Sequence, residues 1–261
     1  QVLAPFYLEQ AKAEGASTRG WFVIPHLVDA EKFKPDATAR TVSRDAFVVL
    51  AVGDFSANSN KRLAWIVSEV ARLNGAPEVQ LVLAGQAAGS QAEAFESAAR
   101  AMLDEKSTAD AHAPKTIWRT PLLPALSPAP SGGEGAVREG RVTILANQPA
   151  SSMPAIYAGA DVFAHAALRE PFGIVFLEAM ASALPVVAHA FPVTRWIVAG
   201  GGECVDAESP GAMARVLDAW RRDSALARSV GERARARARS EFGPAKIVPL
   251  YQAMYDAVIR S

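Results

Sequence analysis

The chain of 261 residues has a single cysteine, Cys204, so no internal disulfide can form, and its composition fits a reducing cytosol. Charge of either sign is not in excess: 27 lysines and arginines balance 27 aspartates and glutamates. That balance excludes the broad electrostatic footprint that nucleic acid or anionic lipid would require, although the last third is locally basic. No apolar run approaches the length needed to cross a bilayer, and the first residues lack a charged-then-apolar signal pattern. A cytoplasmic location is therefore expected, with peripheral placement at a membrane left open for a longer protein. The four histidines show no metal-ligand spacing, no side chain stands out as a covalent nucleophile, and no internal repeat is present. Gln1 stands where a primary product would carry methionine, which suggests a truncated or processed polypeptide.

What the chain does have is apolar content, half of its residues, enough to fill one full α/β core. Short β-branched runs at 47–52, 79–84, 142–146, 161–164 and 184–188 read as strands. Between them 61–73, 91–103, 153–157, 174–182 and 192–198 read as helices, and 210–222, 225–239 and 244–259 follow as a helical C-terminus. The strands are continuous apolar runs, so both faces of the sheet should be covered. This is the rhythm of a doubly wound α/β fold with a parallel sheet, whose ligands sit beyond the C-terminal strand ends. Residues 121–140, rich in proline, glycine and serine, read as an exposed insertion. The arginines at 228, 233, 235, 237 and 239 read as a solvated helix face.

The segment Arg169-Glu170-Pro171-Phe172-Gly173-Ile174-Val175-Phe176-Leu177-Glu178 places two carboxylates eight positions apart around a glycine and the start of an apolar helix. The first N–H groups of that helix, with Gly173, Ile174 and Val175, suit phosphate. Glu178, one turn in, can accept two hydrogen bonds from a vicinal diol such as a ribose, and Glu170 can hold a further hydroxyl. A nucleotide joined to a sugar presents its groups in that order. The competing readings are a solvated Glu178, and a Glu170 that caps the helix or pairs with Arg169.

These residues, followed by Ala-Ser-Ala-Leu-Pro-Val-Val-Ala, resemble the Glu-x7-Glu signature of retaining glycosyltransferases of the GT-B fold, family 4 type. Val23-Ile24-Pro25-His26-Leu27-Val28-Asp29 is similar to the family's crossing into its C-terminal domain, with His26 in place of asparagine. Val49 to Gly53 and Lys61 resemble the first strand, its glycine turn and a lysine facing the donor diphosphate. The resemblance implies a Rossmann-like C-terminal half over 25–261, with an insertion at about 104–140, and a remnant of the N-terminal domain and connection over 1–24. It further implies transfer of a sugar from a nucleotide-sugar donor to an acceptor hydroxyl. The acceptor class, whether glycan, lipid-linked or small molecule, is open. Glu170 would be catalytic, orienting the donor sugar. Gly53, Lys61, Arg62, Phe172, Gly173, Ile174, Val175 and Glu178 would bind the donor, with no metal or other cofactor. The family's N-terminal domain supplies most acceptor contacts, so this chain should bind a donor and need a partner, in cis or on another chain, for turnover. A non-catalytic donor-binding module and a GT-B-like sugar-nucleotide epimerase are the alternative readings.

Two positions depart from the family pattern. Asp54 stands where arginine is common, and its charge would repel a diphosphate unless Arg62 or Arg195 offsets it. Phe191-Pro192-Val193-Thr194-Arg195-Trp196 replaces a Gly-Gly-x-x-Glu segment that faces the sugar. His165 and His189, at strand ends, read as packing or hydrogen-bonding residues rather than bases.

Overall fold

Alternate residues of each strand leave the sheet on opposite faces, and here both sets are apolar. In a computed structural model of the chain, Val49, Ala51, Leu81, Leu83, Val162, Ala164 and Val187 join one core, while Leu50, Ala84, Phe163, Val186 and Ala188 join the other. The structure describes residues 1–36, 38–39, 46–73, 78–108 and 142–260, with 103–108 as backbone only. Six strands, β1 (Phe47–Asp54), β2 (Val79–Gln86), β3 (Val142–Ala146), β4 (Val162–His165), β5 (Val186–His189) and β6 (Gly202–Val205), form one sheet in the order β3-β2-β1-β4-β5-β6. Every pairing is parallel. This is the doubly wound order, in which the chain leaves β1 toward one edge and returns at β4 toward the other.

The helices close both faces. α2 (Leu63–Val70) and α7 (Ala212–Arg222) bring Leu63, Ile66, Val67, Val70, Met213 and Leu217 to the first core. α4 (Met153–Ala158), α5 (Ile174–Ala181) and α8 (Ser224–Phe242) bring Tyr157, Phe176, Leu177, Met180, Ala234 and Phe242 to the second. α1 (Pro5–Ala13), α3 (Gln91–Thr108), α6 (Pro192–Val198) and α9 (Pro244–Ile259) complete the set. Among the described residues no helix is long and apolar enough to cross a membrane.

The boundaries differ from expectation where a local rule intervenes. β1 and β2 run two residues further than their apolar stretches, because Gly53 and Asp54 keep pairing with Gly85 and Gln86. α2 starts at Leu63 rather than Lys61, since Arg62 at φ 52° is left-handed and cannot sit inside a helix. Asp161 lies before β4: its carboxylate accepts from Val48 N at 2.8 Å and staples the incoming chain to β1. Pro5 begins α1, where a residue with no N–H is tolerated, and just before it Val2 forms a single parallel bridge with Val23. α3 continues through the start of the expected insertion, and 109–141 lie outside the described residues.

The arginine series on α8 is also more than a solvated face. Arg235 donates to the carbonyls of Ala30, Phe33 and Ala181, and Arg237 to those of Trp196 and Ile197. The carbonyls of Ala181, Trp196 and Ile197 lie in the last turns of α5 and α6, where no partner is available inside the helix, and these two guanidinium groups satisfy them.

Candidate functional site

The switch point between β1 and β4 is where a doubly wound sheet opens a crevice at its C-terminal strand ends. After β1 the chain makes a loop built on Asp54. Its Oδ1 accepts from the hydroxyl and, at 3.2 Å, the N–H of Ser56, and its Oδ2 accepts from Ser59 Oγ at 2.5 Å. Burial would raise this carboxyl, but the serine hydrogen bonds outweigh it and hold the pKa below the ordinary value. Asp54 is thus turned into its own loop rather than set against a diphosphate. Ser59 Oγ in turn accepts the N–H of Lys61 at 3.2 Å. Gly53, expected in a turn, lies in β1, where a Cβ would stand 2.7 Å from Lys61 Cβ. The missing side chain makes room for the lysine stem.

Lys61 crosses the crevice to the loop after β4. Its Nζ donates to Glu170 Oε2 at 2.5 Å, and Nε2 of His165, the last residue of β4, lies 3.0 Å from the same oxygen. Glu170 is 5% exposed and His165 1%. Burial works against ionised Glu170, yet the bonds from His165 and Lys61 prevail and lower its pKa. An ionised carboxylate only accepts, so His165 Nε2 carries the proton and donates. Burial depresses the pKa of His165 against the opposing pull of Glu170, which keeps the ring neutral. Glu170 Oε1 has no hydrogen-bond partner among the described residues.

Three residues beyond Glu170, Gly173 caps α5 at φ 79°. A Cβ there would meet Glu170 Cγ and the Phe176 ring at 2.8 Å, so both backbone angle and space require glycine. Ile174 is half exposed, and the helix start it marks opens beside Glu170. Glu178 follows one turn later on the same side of α5. Its Oε2 accepts the Tyr157 hydroxyl at 2.9 Å. Its pKa is raised by burial, with Tyr157 and Lys32 opposing. Oε1 and the remaining lone pair of Oε2 are left to accept from a diol.

Two expected contacts, Phe172 and Arg62, are engaged within the protein. Phe172 is buried, with its ring against His26 at 5.0 Å and near Trp196 and Phe242, so only its backbone faces the loop. Arg62 donates to the carbonyls of Ala166 and Ala207, each at 3.3 Å, and lies over Trp65. Those carbonyls lie just beyond β4 and β6, so Arg62 ties strand ends together. The segment replacing the glycine-rich one starts α6 with Pro192 at its first turn, and Phe191 packs edge-on against Phe6 at 5.5 Å.

His189 accepts the Ala207 N–H at Nδ1, 3.1 Å away, a hydrogen-bonding role as read from the sequence. Sequence reasoning did not reach Tyr157, or Tyr7, whose hydroxyl donates to Pro171 O at 2.8 Å. The signal for His165 was a polar ring at the end of an otherwise apolar strand. Among the described residues no group of three or more His, Cys, Asp or Glu side chains could hold a metal ion.

Sheet order and site together define a doubly wound α/β unit with an anion-ready helix start, a lysine and a buried carboxylate at its switch point. Residues 138–237 match the family model of the glycosyl transferases group 1. D-inositol 3-phosphate glycosyltransferase of Corynebacterium glutamicum (strain R) is 34% identical over 122 residues, which cover 46% of this chain and 29% of that protein. The enzyme of the same name from Salinispora tropica is 40% identical over 102 residues, 36% of this chain and 21% of that protein. These matches span less than a third of the relatives' length. Among solved structures, sucrose-phosphate synthase of Thermosynechococcus elongatus superposes with a TM-score of 0.75 at 24% identity over 99% of this chain and 58% of that one. Anabaena HepE in complex with UDP and glucose gives 0.72 at 18% identity, over 100% and 63%. At such identities the likeness is one of fold, the Rossmann-like unit of GT-B glycosyltransferases.

Proposed function

We propose that this chain is the donor-binding C-terminal half of a retaining, family 4 type glycosyltransferase, acting in the cytoplasm on a nucleotide sugar and an acceptor hydroxyl. The observation that carries the reading is the cluster of Lys61, His165 and Glu170 at the β1/β4 switch point, beside the start of α5. Lys61 and the N–H groups of Gly173 to Val175 hold the diphosphate, Glu170 orients the sugar, and Glu178 takes a ribose hydroxyl. The pocket uses no metal. A cation and oriented amides offset charge on the diphosphate as the glycosidic bond breaks, and the acceptor attacks on the same face with the departing diphosphate assisting. HepE, of like fold, has been seen with UDP-glucose, which supports a nucleotide-sugar donor. The matched chains are longer than the part they share with this one. A further domain of that kind supplies the acceptor contacts, so the chain alone binds donor without turning it over.

Calorimetry against UDP, GDP, ADP and their glucose conjugates tests the reading. One nucleotide should bind, and Glu178→Ala should weaken it about tenfold by removing the ribose acceptor. Unchanged affinity in Glu178→Ala would remove that residue from the pocket.

A further inference from the structure

A histidine that ends a strand among Phe163, Ala164 and Ala166 is a costly choice unless its polar atoms are used. The imidazole of His165 is almost wholly enclosed, stacked on Phe163 at 6.1 Å with planes 17° apart, and edge-on to Phe176 at 4.9 Å. Its backbone is held in register with Ala188 of β5. Ring and backbone are therefore both fixed, and Nε2 points at Glu170 Oε2 from a rigid support. Lys61 reaches the same oxygen from a flexible stem that is 26% exposed.

We infer that His165 is a positioning residue that keeps Glu170 Oε2 tied to the protein, so that Oε1 is the oxygen offered to a hydroxyl of the donor sugar. The inference rests on the proposed donor pocket. It follows from the difference between the two donors on Oε2. A diphosphate entering beside α5 competes with Glu170 for the ammonium of Lys61, and a lysine can swing to it. The imidazole has no such freedom, so its bond persists when Lys61 turns away. A neutral ring that donates one proton does this without adding charge that would draw Oε1 from the ligand.

Two measurements test this. In the 15N-histidine-labelled chain near neutral pH, NMR should show His165 as the neutral tautomer protonated at Nε2, with a slowly exchanging proton. A ring protonated at Nδ1 alone cannot donate to Glu170 and would overturn the inference, whatever the variants do. Calorimetry with UDP, GDP and ADP, each with and without its glucose, then measures the gain in affinity that the sugar brings. His165→Leu should cut that gain about tenfold while leaving the bare nucleotide within about twofold, and His165→Gln, which still presents an N–H, should recover most of it. An undiminished gain in His165→Leu, or a parallel loss for nucleotide and nucleotide sugar, would reduce His165 to packing and leave the pocket standing. A wild-type chain that binds none of the six would instead sink the pocket, and the inference with it.

Discussion

Three buried or half-buried carboxylates, Glu69, Asp54 and Glu170, are used in different ways. Glu69 on α2 spends both oxygens on the start of α7: Oε1 accepts the Gly211 N–H at 2.7 Å, and Oε2 those of Met213 and Ala214 at 3.1 and 3.0 Å. Asp54 spends both on Ser56 and Ser59 of its own loop. Glu170 gives one oxygen to two donors, Lys61 and His165, and keeps the other without a partner among the described residues. A buried acid of this chain thus has a structural or a ligand-facing role according to whether the protein consumes both of its oxygens. Burial alone does not separate them, since Glu69 and Glu170 are both sealed from solvent.

The comparison breaks first at its structural end. Glu69→Ala leaves three N–H groups of α7 without their acceptor and should cost about 3 kcal/mol in urea unfolding, with nucleotide affinity unchanged. Next, Lys61→Met strips the cation from Glu170. It should cost about 2 kcal/mol, below the range for fully buried pairs because the Lys61 side chain is 26% exposed, and it should weaken UDP more than uridine. Asp54→Asn should cost about 1 kcal/mol through its loop and change UDP affinity less than about twofold. A rise of about tenfold on losing that charge would place Asp54 against the diphosphate after all.

The smallest effect is in the pH profile. His165 has a folded pKa below its ordinary 6.5, so the unfolded chain binds the proton more readily and stability falls as pH drops from 6.5 toward the folded value. Glu170 and Asp54, lowered from 4.5 and 3.8, keep their contributions above those values and lose them only as pH falls through their folded pKa. Urea midpoints between pH 8 and 4 should show a slope starting near 6.5 that disappears in His165→Gln.

Strands β1 to β5 and the helices between them were legible because both faces of the sheet are covered, which makes each of these strands a largely apolar run. The Glu170 to Glu178 segment was legible because its spacing and its glycine are local. What escaped was set by contacts across the sheet. Lys61 and Glu170 are 109 residues apart, and only the β1/β4 pairing brings them together. Arg62 was read as a donor contact and Arg235 as part of a solvated face because the carbonyls that hold them come from elements distant in sequence. Asp54 is the case where a local sign was present: an aspartate two residues before Ser56 and five before Ser59 can fold onto its own loop. The family's preference for arginine there drew attention to charge instead.

The central claim is that Glu170 offers Oε1 to the sugar of a nucleotide-sugar donor, and calorimetry of UDP and UDP-glucose on the wild-type chain and on Glu170→Gln tests it most directly. The account predicts that the variant binds UDP within about twofold of wild type and loses about tenfold in UDP-glucose affinity. Equal affinities of the two proteins for both ligands would contradict it.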